Sequence, residues 1–188
     1  MLIYHLITIT TPKDYIDYKN LGICSPKALY DLNKDLFIKT SYQNYLERTS
    51  TYLHKPKKEI TPEDTINFLD NAPIRKNKGF NSQTIFFTFH PFNKLHKGLQ
   101  NLIKPCVQLT VDTKYLKRYI PKLVMFGSVK PITWDELEDI DFIDWIDSMN
   151  NKGEPTNTKR IYARLPHLAV LNAYQVKEKN IYNAIMIR

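Results

Sequence analysis

The chain has 188 residues, 43% hydrophobic and 12% aromatic, which is enough apolar material for one domain over 1–188 and short for two. That composition excludes wholesale disorder, no apolar run approaches the roughly 20 residues that cross a bilayer, and Met1–His5 lacks a basic leader. The net charge of +8 conceals a segregation: Thr133–Met149 holds seven of the 19 acids and no base, so the remaining residues set 27 bases against 12 acids. Such a basic surface either attracts phosphates, whether of nucleic acid, a dinucleotide or an acidic partner, or only solvates a Lys- and Asn-rich chain. Two cysteines, Cys24 and Cys106, do not make the dense framework of a small secreted scaffold, and a reducing cytoplasm is the expected location.

In chain order, Ile3–Ile9 alternates weakly as a first strand. Thr11 then caps a helix with Pro12 at its first position, Tyr15, Ile16 and Tyr18 facing inward, and Gly22 ending it. Ser25-Pro26 opens a short helix. From Ser41 to His54 the positions Tyr42, Tyr45, Leu46, Thr49, Tyr52 and Leu53 recur at three and four residues, as one helix face requires, and Arg48 falls within that stretch. Thr61-Pro62-Glu63-Asp64 repeats the cap, proline and acid pattern. Residues 71–82 read as a polar loop with three bases, Arg75, Lys76 and Lys78, a candidate mobile substrate loop that contacts nucleic acid.

Gln83–His90 is a nearly continuous β-branched and aromatic run, too short for an independent helix and too apolar for an edge, and so a buried central strand. Thr88 and His90 stand at its exit. Phe92–Ile103 is a basic, weakly periodic helix; Val107, Leu109 and Val111 alternate with polar residues as a half-exposed strand; and Leu123–Phe126 is another strand. Thr133 caps one acidic helix, Asn150–Thr158 reads as a second loop, and Leu168–Leu171 and Ile181–Ile187 as late strands. Helices gathered in the first half and strands in the second predict an α+β fold with a mixed or antiparallel central sheet. The expected core is Ile85, Phe86, Phe87, Val107, Leu109, Val124, Leu168 and Val170.

The five glycines are scattered, which argues against Gly-rich phosphate loops, and neither cysteine sits in a CxxC pair. His90 and His96 lie six apart with no acid close by in sequence, a poor spacing for metal ligands, and no serine-hydrolase elbow occurs.

Tyr4-His5 on the first strand, the helix and Gly22-Ile23-Cys24-Ser25 after it, the strand Ile85–Thr88 and the run Pro166–Leu171 resemble, in that order, ADP-ribosyltransferases. The nearest branch is the DNA-targeting ADP-ribosyltransferase toxins. The resemblance covers the whole chain through short motifs. It implies an NAD-dependent transferase acting on nucleic acid or on a nucleic-acid-associated protein. His5 would hold the adenosine ribose of NAD, Phe87 or Thr88 would line the nicotinamide pocket, and His167 stands where the family places an acid. Cleaving the nicotinamide bond develops positive charge on the sugar, which an anionic side chain stabilises and a neutral imidazole does not. Glu178 is a rival acid only if the alignment is shifted. Around these, Arg48 is a candidate pyrophosphate clamp, while Tyr4 (with Tyr42 or Phe89 as alternatives) and His90 are candidate walls of the same cleft. The alternative is a non-catalytic basic protein, such as a viral inhibitor of a defence complex, that engages an acidic or nucleic-acid partner by charge.

Overall fold

A computed structural model describes residues 1–95, 97–125, 127–151 and 166–188. Seven strands form one sheet, every pair of neighbours antiparallel, in the order β6-β5-β7-β3-β1-β4-β9. Their ranges are β1 Leu2–Thr8, β3 Ile85–Thr88, β4 Cys106–Asp112, β5 Ile120–Met125, β6 Ser128–Pro131, β7 His167–Leu171 and β9 Ile181–Ile187. A separate two-stranded ribbon pairs β2 (Ile23–Cys24) with β8 (Gln175–Val176). The fold is thus α+β with an antiparallel sheet, and β3 is its middle strand as the apolar run Gln83–His90 predicts.

Local chemistry sets the helices. In α1 (Pro12–Leu21), Thr11 and Asp14 form a reciprocal capping box, so orphan amide donors of the first turn are satisfied by side chains. Gly22 ends the helix at φ +80°, where a Cβ would collide with the Val176 carbonyl, so only glycine fits this crossing of helix end and ribbon. Ser25 caps α2 (Pro26–Leu32), and Thr61 and Asp64 box α5 (Pro62–Asn71). Between them run α3 (Lys34–Phe37), a π-helical turn over Ile38–Tyr42 and α4 (Gln43–Leu53). Helices α6 (Pro73–Lys76) and α7 (Lys97–Ile103) flank β3, and α8 (Trp134–Glu138) and α9 (Ile140–Asn151) follow β6. No helix among the described residues is long and apolar enough to cross a membrane.

The main core joins the odd positions of β1 and β3 to the helices: Ile3, Ile85, Phe87, Leu109, Leu168 and Val170 are all buried with Tyr18, Leu29 and Phe37. Of the expected core, Phe86 alone is only half-buried; its side chain packs in the smaller cluster with Phe80, Val124 and Ala169 and borders a cavity. Several other expectations are corrected. Ile16 is 55% exposed, and Tyr18 carries the buried face of α1. β4 is buried on both faces rather than half-exposed: Gln108 and Thr110 lie inside, and Gln108 Oε1 accepts a 2.7 Å bond from the Phe92 amide. The acidic segment is two helices, since Asp139 adopts an extended conformation between α8 and α9. Of the expected second loop, 152–158 lies outside the described residues.

Candidate functional site

The first and middle strands meet at a single bridge, Tyr4 with Thr88, whereas β1 pairs with β4 along its whole length. Beyond that bridge β1 and β3 lack further paired residues, and His5 reaches between them: its Nδ1 lies 2.7 Å from the Phe86 carbonyl and its ring centroid 5.7 Å from that of Phe87. Because the carbonyl only accepts, Nδ1 carries the proton and Nε2 keeps its lone pair. Burial pulls the His5 pKa down to about 4 against the opposing effect of the Phe86 carbonyl, so the imidazole is neutral near pH 7. No described residue donates to Nε2.

His5 lines a cleft of about 460 Å³ on the helical side of the sheet, within the size range of small-molecule sites. Its far wall is the π-helical turn and the start of α4, which contribute Lys39, Thr40, Ser41, Asn44 and Tyr45; Thr84 adds a hydroxyl from the approach to β3. A π-helical turn widens the helix locally and is a frequent companion of functional sites. Lys39 is held 2.9 Å from Asp14, a buried carboxylate. Burial pushes the Asp14 pKa up, but Lys39 together with the Thr10 and Thr11 donors overcomes this and holds it well below the usual carboxylate range. Tyr45 is stiffened from behind by Phe68 and by Arg75, whose guanidinium lies 5.3 Å from the ring centre. No carboxylate occurs among the described residues that line this cleft.

Side-chain alternation divides the predicted site in two. Tyr4, Thr88 and His167 stand opposite one another on three adjacent strands and so share the other face, where with His90 they line a second, mainly apolar cavity of about 310 Å³ roofed by Leu95, Leu99 and Ile103. Leu6 and Phe86 contribute to the walls of both cavities. The three strands are therefore neighbours, but His5 does not share a cleft with Thr88, His90 and His167. Thr88 Oγ1 is spent on backbone carbonyls, 2.9 Å from His90 and 3.3 Å from Tyr4. Burial lowers the His90 pKa although Asp147 lies 3.6 Å from its Nε2. His167 packs its ring 5.9 Å from Phe86. Phe87 belongs to the core, 1% exposed. Arg48 is exposed on α4, 5.9 Å from the Tyr45 ring, and lines neither cavity. Glu178 sits beside Gly22 after β8 and also lines neither.

The basic loop is corrected more sharply. Arg75 is buried: its Nε donates to the Leu69 carbonyl at 3.1 Å and its Nη2 to the Asn81 carbonyl at 3.3 Å, so it fastens 71–82 to the body rather than standing out as a surface base. With α6 and the Asp70 carboxylate bonded to the Ser82 amide, the segment is a pinned turn rather than a mobile loop. Lys76 is exposed and Lys78 half-exposed, its carbonyl taking Lys122 Nζ at 3.1 Å. Sequence reasoning missed Lys39, Ser41 and Asn44. The only signal for Lys39 and Ser41 is a polar run between Phe37-Ile38 and Tyr42, which does not foretell a π-helical turn, and Asn44 follows Tyr42 on α4 with no signal of its own.

Both cysteines are free and buried, and among the described residues no group of three or more His, Cys, Asp or Glu is placed to hold a metal ion. Comparison with family models, curated proteins and solved structures found no match for this chain.

Proposed function

We propose that the chain recognises NAD, or its ADP-ribose part, in the cleft on the helical side of the sheet, as an ADP-ribosyltransferase-type site. The observation that carries this reading is His5 in the split between β1 and β3, neutral, with Nδ1 on the Phe86 carbonyl and Nε2 left to accept a ribose hydroxyl. The polar wall of Ser41 and Asn44 suits sugar hydroxyls and a carboxamide, the Tyr45 ring offers an aromatic surface, and Lys39 would reach a pyrophosphate only by sharing its charge with Asp14, 2.9 Å away. The described lining lacks the carboxylate that would steady a ribosyl cation, and this favours a second reading in which the cleft binds the dinucleotide without cleaving it.

Two measurements separate these outcomes. Calorimetric titration with NAD should show binding, weakened about five- to tenfold by His5→Ala, since one hydrogen bond of about 1–1.5 kcal/mol is removed. Nicotinamide release, with single-stranded DNA or RNA as the acceptor, then distinguishes a transferase from a binder. Absence of both binding and release rejects the site.

A further inference from the structure

We infer that a separate basic cleft binds a phosphate ester of a sugar that also bears a planar base, the chemistry of a nucleoside monophosphate. Its walls come from the turn between β4 and β5, with Tyr115, Arg118 and Tyr119, and from the stretch joining β8 to β9, with Lys177, Lys179 and Asn180. They enclose about 360 Å³, a size suited to one nucleotide.

Charge distinguishes this cleft from an ordinary solvated surface. The neighbouring lysines have carboxylates: Lys117 lies 3.0 Å from Glu138 and Lys114 lies 3.9 Å from Asp112. Arg118, Lys177 and Lys179 make no ion pair among the described residues, and no described lining residue is an acid; Glu178, between the two lysines in sequence, does not line the cleft. Three like charges on one concave surface repel each other, and a bound anion removes that cost. Arg118 is also oriented: Nη2 donates to the Tyr119 hydroxyl at 2.6 Å, and the guanidinium lies 4.7 Å from the Tyr119 ring centre. These contacts fix the group without neutralising it, leaving donors of a planar fork that matches phosphate oxygens. The anion alone does not account for two tyrosines in the same wall. Tyr115, 41% exposed, offers an accessible aromatic surface, and the Asn180 amide can meet the edge of a polar heterocycle.

This cleft and the His5 cleft lie on either side of the β2–β8 ribbon: Cys24 lines one, its pairing partner Gln175 lines the other, and no residue lines both. The inference therefore stands apart from the NAD reading. The test is calorimetric titration of the full chain with AMP, with adenosine, with inorganic phosphate and with a short single-stranded oligonucleotide lacking terminal phosphates. Each titration is repeated on Arg118→Gln, on Lys177→Gln with Lys179→Gln, and on His5→Ala. All three cations are exposed, so these variants should keep the wild-type melting temperature. AMP should bind at least about tenfold more tightly than adenosine or phosphate, and either change in the basic cleft should weaken it by about tenfold or more. His5→Ala should leave at least that AMP site intact. Phosphate or adenosine binding as tightly as AMP, binding by the oligonucleotide alone, or AMP affinity that survives Arg118→Gln each overturns the assignment. If AMP affinity is lost with His5→Ala and kept with Arg118→Gln, nucleotide binding belongs to the first cleft and this inference fails while the first stands.

Discussion

Replacing His5 by Gln should flatten the acid side of the stability curve. In the unfolded chain a histidine takes its proton near pH 6.5, whereas in the folded protein burial delays this to about 4. Between these values the unfolded chain binds more protons, so stability rises with pH; the contribution is fully present above 6.5 and lost as pH falls through 4. The interval of about 2.5 pH units, at about 1.36 kcal/mol each, amounts to about 3 kcal/mol. Glutamine keeps an amide donor for the Phe86 carbonyl and has no proton to gain. The assay is urea denaturation of both proteins between about pH 7.5 and pH 4, with the wild-type curve falling by about 3 kcal/mol more than that of His5→Gln. His90, also lowered by burial, and Asp14, whose loss begins as pH falls to the ordinary carboxylate value and continues below it, are common to both proteins and cancel in the difference. Parallel curves would refute the claim that His5 is held neutral in the split.

Three further predictions test the frame around the site. Phe87→Ala, in the middle strand at 1% exposure, should cost about 3–5 kcal/mol, while Ile16→Ala, at 55% exposure, should stay within about 0.5 kcal/mol; matching denaturation midpoints would remove β3 from the core. Arg75→Ala should destabilise by about 2–3 kcal/mol because two carbonyls lose a charged donor, whereas Lys76→Ala should be nearly silent, and equal effects would return Arg75 to the surface. Gly22→Ala should lower the melting temperature by several degrees, since φ is +80° and the Val176 carbonyl leaves no room; an unchanged melting curve would contradict that crossing.

The helix starts were legible because their signals are local. Thr11, Ser25, Thr61 and Thr133 each cap a helix through a side-chain oxygen a few residues from the amide it accepts, and that chemistry depends on little outside the turn. The middle strand was legible for a different reason: only a strand covered on both faces tolerates Ile85-Phe86-Phe87 in succession. What the residues could not disclose was long-range. His5 and Thr88 sit on neighbouring strands in either arrangement, and only the register, Tyr4 opposite Thr88, reveals that alternation turns them to opposite faces. Arg75 reads as a loop base until Leu69 and Asn81 are seen to aim their carbonyls at it. Gln108 reads as solvent-facing until the Phe92 amide arrives to satisfy it inside the protein.

The most direct test of the central claim is to follow the imidazole nitrogen resonances of isotope-labelled histidine while NAD is added at neutral pH. The cleft on the helical side predicts that His5 Nε2, unprotonated and without a donor among the described residues, shifts as it accepts a ribose hydroxyl, while His90 and His167 across the sheet stay in place. Shifts at His90 and His167 with His5 unmoved would place the ligand in the apolar cavity and contradict the account.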